Sequence, residues 1–145
     1  MGMLIDIVVA DPADAPRVGA STCPSREFTG VEAKGIDTVK LTKLHSVLTG
    51  RPFDPKFIGN DALRFDASED GPWVFEVPAD LVGQLAQLGA GELTSVANEW
   101  SKIEEFSAKY DNWPAAAVHE MLIGLMVLCR KAVAENKVLF MWMSL

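Results

Sequence analysis

The last eight residues, Val138-Leu-Phe-Met-Trp-Met-Ser-Leu145, are apolar at odd and even positions alike. A strand with one wet face alternates apolar and polar residues. A run that is apolar on both faces is covered on both, and this predicts a central strand over residues 138–145. The C-terminus therefore belongs to the core, and earlier segments must supply strands beside it and layers above and below. Deleting residues 138–145 is expected to leave the protein insoluble or unfolded, and a soluble, cooperatively melting truncation would refute the central placement.

The flanking strands are shorter. Residues 3–9 form a β-branched run closed by Asp11-Pro12, a strand ending in a turn. Trp73-Val-Phe-Glu-Val77 alternates between prolines, and a further strand is expected over residues 63–66, before the Ser68-to-Pro72 turn cluster. From Asp11 to Gly35 no period is sustained, which predicts a loop with a turn or two of helix. Residues 37–50 read as a helix with Asp37 as N-cap, Gly50 as left-handed stop, and Leu41, Leu44 and Leu48 as buried stripe. Further helices are predicted over 78–88, 92–109 and 114–136. In the last, apolar residues wrap most of the circumference, so it is expected to be buried by its own domain or a second subunit. Helices segregate from strands along the chain. That order predicts an α+β fold, a small sheet with a central C-terminal strand packed with about four helices, as one domain over residues 1–145.

With 145 residues the chain can bury a core without metals or disulfides. Its net charge of -7 argues against a nucleic-acid partner, since that binding depends on Lys and Arg displacing counterions. Anionic membrane surfaces are disfavoured for the same reason, and the longest apolar run, residues 121–129, is far short of a bilayer span. A basic protein partner suits this charge, as does plain solubility. Of the two cysteines, Cys129 lies in an apolar helix and Cys23 in a Pro-containing loop. With no signal-like N-terminus, they indicate a cytoplasmic protein.

No phosphate loop, dinucleotide fingerprint, nucleophile elbow, HExxH or CxxC occurs, and neither a cofactor nor a metal is expected. Histidines number only two. His45 shares a helix face with Leu41 and Leu48, where a nearby carboxylate could tune it into a base or simply hold it in place. On the helix predicted over 92–109, Glu104 falls on the apolar arc of Leu93, Val96, Ala97, Trp100 and Ile103. There it must be paired, or reach water where the helix leaves the core. His119 sits at an apolar rim near a helix start, and Cys23 has Arg17 and Arg26 nearby in sequence but no identifiable base. Trp73, Trp100 and Trp113 are aromatic candidates for a recognition surface, Trp100 more simply as core. Arg51, just after Gly50, could meet an anionic group.

Asp37, Lys40, the string Leu44-His45-Ser46-Val47-Leu48-Thr49-Gly50 and the following Phe53-Asp54-Pro55 resemble a segment of the YfbM-like family of uncharacterised bacterial proteins. The likeness covers some twenty residues. The aromatic residue usual just before the Leu-His pair is absent, with Leu41 and Thr42 in its place. The resemblance implies an α+β domain, transfers no catalytic residue, and directs attention to His45, Thr49 and Gly50.

Three functions are compatible with this reading. The first is a protein-binding or regulatory, immunity-like domain that docks a basic target, with a homodimer through the helix around residues 121–133 as an additional expectation. The second is a small enzyme, such as a hydrolase, using His45 with Glu104. The third is a small-ligand-binding protein with Trp100 and Trp73 lining a cavity.

Overall fold

The structure is a computed structural model that describes residues 2–145. Strands β1 (Leu4–Ala10), β2 (Thr29–Glu32), β3 (Leu63–Asp66), β4 (Trp73–Glu76) and β5 (Val138–Ser144) form one antiparallel sheet in the order β2-β1-β5-β4-β3. The C-terminal strand is central. It pairs along its length with β1, from Leu4 opposite Ser144 to Ala10 opposite Val138, and on its other edge with β4.

The period-two alternation sends side chains into two separate cores. Ile5, Ile7, Val9, Leu139, Met141 and Met143 face the larger helical layer. That layer comprises α3 (Thr38–Thr49), α4 (Ala79–Ala86), α5 (Ala90–Ser101) and α6 (Ala115–Ala134). Val8, Ala10, Val74, Phe140 and Trp142 face the other way, against the short helices α1 (Ala15–Ala20) and α2 (Pro24–Glu27). Each fully buried Leu, Ile or Phe contributes about 1.5–3 kcal/mol on burial, so a strand that feeds both cores is costly to lose. On the thin side α1 lies close to the sheet at Gly19, where a Cβ would stand 2.1 Å from the Phe65 ring.

The segment between Asp11 and Gly35 is more ordered than its sequence predicts. It holds α1, α2 and the edge strand β2, whose four residues include Gly30 and are too few to show alternation. The helix predicted over 92–109 ends at Ser101. Ile103 is extended, and Glu104–Phe106 form a single 3-10 turn. Phe106 explains the break. Continued as helix, the six residues from Trp100 would set Phe106 about 120° round from it, whereas the turn buries its ring edge-on to Trp100 with centroids 5.2 Å apart. In α6, Leu122, Leu125, Leu128 and Cys129 are buried by the domain, while Ile123 and Val127 are exposed. Among the described residues no helix is long and apolar enough to cross a membrane.

Candidate functional site

Helix α3 builds the site. The Asp37 side chain accepts from Lys40 N–H at 2.9 Å, a cap worth about 1 kcal/mol, and fixes where the helix starts. At the other end Gly50 adopts φ 72°, a left-handed stop that a side chain would strain. The Thr49 hydroxyl donates to the His45 carbonyl at 2.9 Å and accepts from Arg51 N–H at 3.3 Å. Thr49 and Gly50 therefore act through the backbone, turning the chain so that residues 51–57 fold back along α3. Phe57 then stacks on the His45 imidazole, with centroids 4.0 Å apart and planes 15° apart.

His45 is buried, and its Nε2 meets Asp80 Oδ2 at 2.5 Å. Asp80 lies in the first turn of α4, just after Pro78, where the helix dipole favours a carboxylate. Its side chain is 54% exposed. The hydrogen bond from His45 holds its carboxyl below the usual range. Arg51 and a hydrogen bond from Gln84 add to that effect, and partial desolvation opposes it. Thr42, His45, Ser46, Arg51, Asp54, Phe57 and Asp80 surround a cavity of about 360 Å³.

With Asp80 ionised, His45 Nε2 is the donor of the pair, and Nδ1 is left to face the cavity side of the ring without a protein partner. No residue among those described bonds Nδ1. The nearby hydroxyls are committed to their own helix, Thr42 donating to the Thr38 carbonyl at 2.7 Å and Ser46 to the Thr42 carbonyl at 3.4 Å. The recess thus offers charge, an aromatic wall and an unpartnered imidazole nitrogen. It offers no hydroxyl nucleophile hydrogen-bonded to the histidine.

The other candidates separate from this site. Glu104 is not on a helical stripe. It opens the 3-10 turn, is 57% exposed and lies 3.7 Å from Lys109, so the carboxylate beside His45 is Asp80 instead. Trp100 is fully buried and its indole N–H donates to the Lys40 carbonyl, which makes it a core residue rather than the wall of a cavity. Trp113 packs on Phe106 and over Gly35. Trp73 lines a separate shallow cavity with Asp66, Phe75 and Met143 near the β3 edge. His119 is half-buried on α6. Among the described residues no group of three or more His, Cys, Asp or Glu side chains is placed to hold a metal ion.

Asp80 and Phe57 are absent from the sequence-level candidates. An acid in the first turn of a helix is ordinary, and nothing local ties Asp80 to a histidine in another helix. Compared with known proteins, the chain matches no family model, no curated protein and no solved structure.

Proposed function

We propose that the chain is a protein-binding domain, regulatory or immunity-like, that receives a basic side chain of its partner in the recess beside Asp80. The observation that carries this reading is Asp80 itself, a carboxylate kept ionised and half-exposed at the mouth of a cavity. Asp54 adds a second acidic group, and the Phe57 ring adds a face that an arginine can stack on. The committed hydroxyls favour binding over acyl transfer. The chain's net charge of -7 would steer a basic partner toward it. The proposed YfbM-like kinship concerns the same stretch, from Asp37 to Pro55.

Titration with a short arginine-rich peptide, followed by amide shifts, tests the reading. Shifts are expected at residues 45–57 and around Asp80, weakening with added salt. Shifts elsewhere only, or none, would reject it. A second reading, a hydrolase with His45 as base and Asp80 as its orienting carboxylate, draws on the 2.5 Å contact. It predicts turnover of an ester or amide library that His45→Ala abolishes while the fold persists. No turnover above the His45→Ala background would reject that reading.

A further inference from the structure

The opposite face of the sheet carries a second cavity, unrelated to α3. Asp6 lies in the middle of β1, and the register sets it directly opposite Glu32 of β2 on one side and Trp142 of β5 on the other. Partners directly opposite in antiparallel strands share a face, so two carboxylates and an indole form one row across three strands. Like charges directly opposite destabilise a sheet, and here Glu32 stands on the solvent side of the pair. Asp6 is only 5% exposed. Its Oδ2 accepts from Ser25 N–H at 2.9 Å and from the Cys23 thiol at 3.9 Å. Its Oδ1 has no hydrogen-bond partner among the described residues and is not sealed from solvent.

The space beside it is a cavity of about 220 Å³, lined by Leu4, Ile5, Asp6, Cys23, Glu32 and Trp142 among others. At roughly 30 Å³ per water this is room for a handful of non-hydrogen atoms. Lys34 borders the cavity but makes no ion pair with Asp6 or Glu32. The Trp142 indole N–H is buried without a partner.

We infer that this cleft is a binding site for a small organic ammonium ion, its charged head between Asp6 Oδ1 and Glu32 and its alkyl part against Leu4 and Trp142. Asp6 is nearly buried and its Oδ1 has no protein donor among the described residues, so the cleft is open to one, and the facing Glu32 carboxylate at the solvent side favours a positive one. The apolar walls favour an organic cation over a hydrated metal ion, consistent with the absence of a three-ligand cluster among the described residues. This site shares no residue with the recess at Asp80 and stands or falls separately from it.

Cys23 reports occupancy, because its thiol lines the cleft. Cys129 is a silent internal control, buried on α6 with its thiol pushed up to about 12 by desolvation. The rate of Cys23 alkylation by iodoacetamide is measured in the full chain with ethylammonium chloride, sodium chloride or sodium acetate at matched ionic strength. Ethylammonium alone is expected to protect, about two-fold when its concentration equals its dissociation constant. The Trp142 indole resonance is expected to shift over the same range. Asp6→Asn is expected to abolish protection. Lys34→Met, which removes a competing ammonium that borders the cleft, is expected to retain or tighten it. Equal effects of all three salts on wild-type protein would overturn the assignment whether or not Asp6→Asn folds. So would protection that survives in a folded Asp6→Asn variant, or protection lost in Lys34→Met.

Discussion

Two residues of α3, Lys40 and His45, are both buried, and each meets a carboxylate that is about half-exposed, Asp111 at 46% and Asp80 at 54%. They sit five positions apart, about 140° round the helix, and so leave it toward different neighbours. The Lys40 ammonium donates to the Gly35 carbonyl at 2.5 Å and to Asp111, and lies 5.4 Å from the Phe106 ring centroid. Beside it Lys43 donates to Glu105 at 2.6 Å, so two lysines clamp the 104–111 segment onto the helix. Each charged side chain in that clamp has an opposite charge as partner. His45 uses one nitrogen on Asp80 and has a cavity beside it. A buried titratable residue is thus no sign of a site by itself. Unused bonding capacity next to open space separates the recess from the clamp.

The largest expected effect breaks the clamp. Asp111→Ala leaves a buried ammonium with one carbonyl acceptor, and removing one partner of such a pair costs about 3 kcal/mol. Urea unfolding should show this as a lower midpoint with unchanged slope. Replacing both partners, Lys40→Met with Asp111→Ala, should recover most of the loss, because the apolar stem fits beside Phe106 and no charge is stranded. Arginine-peptide binding should be unaffected in either variant. If these variants changed binding while leaving stability alone, the division of labour along α3 would collapse.

Substitutions at the recess should do the reverse. Asp80→Asn keeps the shape and removes the charge, and is expected to weaken peptide binding on the order of ten-fold with little change in melting temperature. Arg51→Ala is expected to tighten it, since Arg51 repels an incoming cation at the rim. Opposite signs from two neighbouring substitutions are a sharper test than one loss. If both weakened binding, the recess would be reading an anion or a neutral group.

Why the clamp and the recess differed in legibility follows from what each depends on. The cap at Asp37, the stop at Gly50 and the two-sided strand at the C-terminus are local patterns, and the structure shows all three. The choice of partner for His45 depends on tertiary packing between α3 and α4, which no spacing along the chain encodes. Glu104 leaves the apolar stripe because the helix stops at Ser101, and the pull of Phe106 toward Trp100 is a packing preference with no periodic signature. Asp6 is a different case. A lone acid inside the run Leu4-Ile-Asp-Ile-Val-Val9 is a departure from a strand pattern that could be seen in the sequence. Its cross-strand neighbours could not: Glu32 lies on β2, which no pattern marks, and the pairing of β1 with Trp142 of β5 is a tertiary choice.

Acid titration gives the smallest effect and divides the two regions most finely. Asp80 is held below the ordinary value of 3.8, chiefly by the hydrogen bond from His45. For Glu105 desolvation acts upward, but the hydrogen bond and charge of Lys43, with Lys40 and a backbone hydrogen bond, outweigh it, and its carboxyl lies below 4.5. A carboxyl whose folded value is depressed is protonated more readily in the unfolded chain. Its stabilisation is therefore fully present above those ordinary values and disappears as pH falls through the depressed ones. Glu105→Gln should flatten part of the acid limb of stability and leave peptide binding at neutral pH untouched. Asp80→Asn should remove the acid dependence of binding, which in the wild type should persist to below pH 3.8 because the free recess still holds its charge there. Binding measured by anisotropy across that range, on protein shown to be folded by circular dichroism, separates the cases. Loss of wild-type binding well above pH 3.8, with the fold intact, would mean that a group other than Asp80 carries the recognition.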